Sequence, residues 1–169
     1  MKKSILTTIV LTILGFSAFA FAPADTNRVG HNVKIIASSV LDIQMSVSTD
    51  VEFNFATSAN YEAGITKTDA AELKVKSTKP WTVSVGSADA NFTSTSGNNN
   101  TELARSALEF KKSTGSTFAG MSASATVATG TKGGHSATSN TFKVDYKLNP
   151  GYFAQDTYTL PVVYTVSHD

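Results

Sequence analysis

The chain has 169 residues, of which 41% are hydrophobic and 16% charged, enough apolar material for one domain with a real core and too little length for two. Its formal net charge is +1 and it has no cysteine. There is thus no basic field to hold nucleic acid or an anionic membrane, no disulfide framework, no thiol nucleophile and no cysteine-ligated zinc. Ser and Thr together number 43, a bias toward strands with a hydroxyl-covered face rather than helices built on Ala, Glu and Lys.

Residues 1–24 read as a secretory signal peptide. Lys2 and Lys3 supply its positive end, and Ile5 to Phe21 is an apolar run broken only by small or hydroxyl residues. Ala18-Phe19-Ala20 and Ala22-Pro23-Ala24 are both small-x-small triplets, so cleavage is expected after Ala20 or Ala24. A retained membrane anchor is the competing reading of the same run. Without Lys2 and Lys3 the 14 basic side chains fall to 12 against 13 acidic ones, a net charge of −1. No second apolar run long enough to cross a bilayer follows. The mature chain is therefore expected to carry no membrane span and to be exported through the periplasm, to the cell surface or beyond.

Residues 25–38 form an N-terminal extension, in which a polar lead-in gives way to Val33, Ile35 and Ala37 on one alternating face, a short strand pattern. The remaining residues, 39–169, read as the β-sandwich domain. Leu41, Ile43, Met45 and Val47 alternate with polar residues, and Val51, Phe53 and Phe55 do so again after a turn at Ser48-Thr49-Asp50. Leu73 and Val75 make a further strand. Pro80 precedes another at Trp81, Val83 and Val85, where a missing N–H costs least. Residues 86–100 are polar and small, a long loop. Residues 101–112 carry both helical and strand spacing and are expected to be a short helical turn leading into a strand. Met121, Ala123, Ala125 and Val127 alternate, and a glycine turn follows at residues 130–134. Phe142, Val144, Tyr146 and Leu148 form another strand, stopped by Asn149-Pro150-Gly151, which suits a type II turn. The last strand is Tyr158, Leu160, Val162, Tyr164 and Val166. About eight strands with turn signals between them and no βαβ rhythm predict an all-β fold, an antiparallel two-sheet immunoglobulin-like sandwich. Its core is expected to include Trp81, Phe53, Phe55, Val144, Tyr146, Leu160 and Val162.

Catalytic, cofactor and metal signatures are not found. His31, His135 and His168 stand apart from one another in polar or glycine-rich sequence, and no Gly-x-Ser-x-Gly elbow occurs. Gly115 and Gly120 have phosphate-loop spacing, but Met121 stands where the lysine is required. The carboxylates form neither a calcium loop nor, with the histidines, a zinc ligand pair. No enzyme activity and no cofactor are expected. Carboxylates that meet only in space, such as Glu52 with Glu72, leave a hydrolase as a third and weaker option. Asn91-Phe-Thr93 and Asn99-Asn-Thr101 fit the glycosylation triplet and read here as loop composition. A sugar-binding module would use Trp81 as a stacking platform with exposed Tyr61, Tyr152 or Phe153; the Trp81, Val83, Val85 alternation favours a core role for Trp81 instead.

The segment Asn32-Val-Lys-Ile-Ile-Ala-Ser38, followed by Leu41-Asp-Ile-Gln-Met45, resembles the start of the cysteine-free major pilins of the alternate chaperone–usher pathway. The stretch from Tyr61 to Val75 and the ending Gly151-Tyr-Phe-x-x-x-Thr157-Tyr-Thr-Leu-Pro-Val-Val-Tyr-Thr-Val166 are similar to the middle and last strands of such subunits. The resemblance implies an incomplete sandwich completed by donor-strand exchange, with Val33, Ile35 and Ala37 entering the groove of the next copy. It also implies a homopolymer, a fimbrium, with a periplasmic chaperone and an outer-membrane usher as further partners. Strand patterning alone equally allows residues 32–38 to be the first strand of their own sheet. The function expected is a non-enzymatic structural subunit of a cell-surface filament, with a monomeric extracellular binding module for carbohydrate or a surface protein as the alternative.

Overall fold

A computed structural model describes residue 27, residues 29–46 and residues 50–169. The leader with its cleavage sites lies outside the described residues, as do Ser48 and Thr49 of the proposed turn. The chain divides into two compact units, residues 1–36 and residues 37–169. In the first, no described residue belongs to a strand.

The second unit is an all-β antiparallel sandwich. One sheet has the order β1-β2-β8-β5-β6 and the other β10-β3-β7, and β4 and β9 form a two-stranded ladder apart. β1 (Leu41–Met45) and β2 (Ile65–Ser77) pair with Ile43 opposite Val75. β2 also pairs with β8 (Thr141–Leu148), which in turn holds β5 (Leu108–Lys112), itself bonded to the two-residue β6 (Ala119–Gly120). In the second sheet β3 (Trp81–Gly86) is central, between β7 (Ala125–Gly130) and β10 (Val163–His168). β4 is Thr93–Ser94 and β9 is Tyr158–Thr159.

Period-two alternation builds the core from both inner faces. Leu73 and Val75 of β2, Phe142, Val144, Tyr146 and Leu148 of β8, and Leu108 and Phe110 of β5 face Trp81, Val83 and Val85 of β3, and all of them are buried. Trp81 is 0% exposed, lies against Phe142 with ring centroids 6.1 Å apart, and donates its indole N–H to Thr131 O at 3.1 Å and Asn140 Oδ1 at 3.3 Å. Asn140, fully buried, spends its amide on Gly133 O and Val75 O, so the loop after β7 is tied to the core by satisfied polar groups.

Several sequence expectations are corrected. Residues 51–55 belong to no strand, and Phe53 and Phe55 are half-buried, packed against the core rather than inside it. Leu160 and Val162 are half-buried as well, because the expected last strand is interrupted: residues 160–162 lie between β9 and β10, and Pro161 has no N–H to give a ladder. The strand expected at Leu73 and Val75 begins eight residues earlier, at Ile65, and carries a register shift between Lys67 and Ala71, where Asp69 has φ 52°. The short helix α1 (Ser58–Ala63) has no counterpart among the elements expected from the sequence. It is closed at its start by a capping box of Thr57 and Asn60 and stopped by Gly64 at φ 72°. The helical turn into a strand is present, as a 3-10 turn at Arg105–Ala107 leading into β5.

Candidate functional site

The feature that stands out is a groove of about 1040 Å³ along one side of the sandwich. One wall is segment 50–55, which belongs to no strand; before it, Ser46 donates its N–H to Glu72 O at 2.9 Å. The opposite wall is the run from Gln155 to Val162 with Tyr164. Among the described residues β10, which continues that wall, pairs only with β3, and no strand lies along its other edge. The floor is built by Leu108, Tyr146 and Leu148 of the larger sheet. One wall thus belongs to no strand and the other ends in β10, with apolar side chains between them. That is the geometry an added β-strand requires.

The groove has two chemically different ends. At one, Met45 of β1 meets Val162, Val163 and Tyr164 beside Ile43 and Leu73. At the other, Phe55, Tyr61 and Phe153 pack with ring centroids 5.2 Å apart in each pair, and Phe153 meets Tyr158 edge-on at 5.5 Å. Between them Tyr146 Oη and Tyr164 Oη are 2.6 Å apart and bridge the two sheets. Burial pushes both phenols above the ordinary tyrosine range, so the pair is a neutral hydrogen bond and not an acid–base couple. Three carboxylates, Asp50, Glu52 and Asp156, line the groove. The hydrogen bond from the Ser96 hydroxyl, with those of Thr157 N and Asn99, holds Asp156 below the usual carboxylate range.

The donor residues expected from the sequence are fully presented. Val33 is 77% exposed and Ile35 86%, and Ala37 is exposed as well; neither they nor Val29 and Ile36, also exposed, are in a strand. Trp81, being wholly buried, cannot serve as a sugar platform. Tyr61 and Tyr152 stack in parallel at 5.1 Å, and Tyr152 is the exposed member. His31 is exposed and His168 half-buried; among the described residues no three His, Asp or Glu side chains are placed to share a metal ion.

Sequence reasoning missed the wall at residues 50–55 as a wall; it named Tyr61, Tyr152 and Phe153 only as exposed companions for a Trp81 platform and missed that they gather with Phe55 at one end of the groove. The alternation at Val51, Phe53 and Phe55 reports that one side is apolar; it does not report whether the backbone has a partner. The aromatic end joins residues about ninety positions apart, for which single-sequence spacing carries no signal. A polar hub on the outer face of the larger sheet was also missed. Asp145, 4% exposed, takes Lys111 Nζ at 2.8 Å, Asp69 N at 2.9 Å and the Ser113 hydroxyl. Burial pushes its carboxyl up, and these donors outweigh the burial and leave it below the ordinary range.

No family model matches the chain, and no curated protein matches it either.

Proposed function

We propose that the chain is a non-enzymatic structural subunit of a cell-surface filament, assembled by β-strand addition between copies. The observation that carries this reading is the long groove, lined by both apolar and polar side chains, bordered on one side by a segment that belongs to no strand and on the other by β10, which among the described residues pairs only with β3. The occupant proposed is residues 32–38 of a second copy, with Val33, Ile35 and Ala37 turned inward. An exposed alternating apolar segment is costly in water and has the period of a strand that enters a half-open sandwich. Charge fits as well: the segment brings Lys34 to a groove lined by Asp50, Glu52 and Asp156, which favours encounter. Under this reading the export signal delivers the chain to the surface. A periplasmic chaperone covers the groove before assembly and an outer-membrane usher exports the filament.

The test is removal of residues 32–38 from the exported chain, with electron microscopy and mass spectrometry of sheared surface material. The full-length chain is expected in filaments, and the deleted chain in none while still folded. Recovery of the full-length chain only as soluble monomer would sink the filament reading and favour an extracellular binding module.

A further inference from the structure

A strand that enters the groove has a direction, and the fold constrains it. Every strand pair among the described residues is antiparallel. Of the two walls only the one containing β9 and β10 is in strands, so the donor takes its direction from there: laid antiparallel along β10 and the run before it, in the same sense as segment 50–55, it starts beside Tyr164 and ends beside Tyr158. Its Ala37 then leaves the groove at the aromatic end.

The link from Ala37 to the body of the donating copy is short. Val40 is already fixed to its own body, its N–H held by Thr78 Oγ1 and its carbonyl by Thr78 N, both at 3.0 Å, with His168 Nε2 at 3.3 Å from the same carbonyl. Only Ser38 and Ser39 lie between, so at about 3.3 Å per residue the donating body sits within roughly 10 Å of the acceptor's aromatic end. That end carries an exposed aromatic surface in unbroken contact with the groove. Tyr152, 69% exposed, stacks on Tyr61, which packs on Phe55 and Phe153. Its position is fixed from below: Tyr152 donates its hydroxyl to Glu62 Oε1 at 3.3 Å. Gly64, which ends α1, lies so close to Asn149 that a Cβ there would stand 2.6 Å from the Asn149 Cβ, which ties α1 to the turn bearing Tyr152. The donating copy offers an apolar counterpart at the point where its chain arrives, since Val40 is 47% exposed.

Resting on the strand-addition reading, we propose that Tyr152, Tyr61 and Glu62 form a second contact between successive copies, on which the Val40 corner of the donating copy seats. The groove supplies the joint's strength. This contact fixes its angle by covering an aromatic face that water would otherwise meet.

The absence of cysteine allows a direct test with exposed positions. The double variant Ser39→Cys with Ala63→Cys keeps Tyr152, Tyr61 and Glu62, and filaments of it, mildly oxidised and run on a non-reducing gel, are expected to give a ladder of covalent multimers. Ser39→Cys with Asp50→Cys, which probes the opposite end, is expected to stay monomeric on the gel. A ladder from the Asp50 pair, or filaments without a ladder from either pair, overturns the second contact and leaves strand addition standing. Failure of the unmodified chain to form filaments at all strikes the proposed function instead.

Discussion

A second copy of residues 32–38 joined behind Asp169 through a flexible Gly/Ser linker of about eight residues should complete the sandwich in cis and yield a stable monomer. The geometry suits it, because β10 ends at His168 and among the described residues pairs only with β3, and the linker carries the chain back past His168 so that the copy runs antiparallel along the groove from Tyr164 to Tyr158. The magnitude comes from a comparison in which the ordering cost cancels: the same fusion with Ile35→Asp in the appended copy. Ile35 is 86% exposed in the free segment, and full burial of such a side chain contributes about 2 kcal/mol. Aspartate forfeits that and adds the penalty of an unpaired charge near an apolar wall, about 1–3 kcal/mol after it finds partial solvation. The two fusions should thus differ by about 3–5 kcal/mol, roughly 10 °C or more in Tm for a domain of this size. Thermal unfolding followed by circular dichroism, with size-exclusion chromatography for the oligomeric state, reads both. Equal Tm values, or equal self-association of the two fusions, would show that the copy does not enter the groove.

Gly130→Ala should cost about 2–3 kcal/mol, since the added Cβ overlaps the buried Trp81 ring. Trp81→Ala should cost about 3–5 kcal/mol, and the double variant should fall short of the sum in chemical denaturation, because the smaller side chain frees the space the methyl needs. Asp145→Asn should cost about 3 kcal/mol by leaving the largely buried Lys111 ammonium without its counter-charge. The lowered carboxyls of Asp145 and Asp156 stabilise the fold at pH values above about 4, where the unfolded groups are already ionised. That contribution is lost as pH falls through the lower folded values, so Tm measured from pH 6 to pH 2 should drop below about pH 4, and less steeply in Asp145→Asn. Gly64→Ala should cost more than about 1 kcal/mol by denaturation, because its φ of 72° and its contact with Asn149 both exclude a side chain.

The sequence by itself determined the class of fold and most of its core. Strict alternation at Leu73 and Val75, at Trp81, Val83 and Val85, and from Phe142 to Leu148 is a local property, and each of these residues is buried on an inner face. A side chain's face in a strand depends only on its parity, so spacing suffices. Phe53, Phe55, Leu160 and Val162 carry the same alternation but stand half-buried around a groove. What separates them from the core is whether a neighbouring strand occupies the next place in the sheet, and the sequence period is blind to that. The same holds for Val33, Ile35 and Ala37, whose pattern is that of a strand although none is formed. Tertiary structure alone decided that β10 pairs only with β3 among the described residues, that Pro161 breaks the final strand, and that Tyr61, Tyr152, Phe55 and Phe153 meet at one end of the groove. Those facts depend on which distant segments pair, and pairing is set by the fit of whole faces and not by any residue's neighbours in the chain.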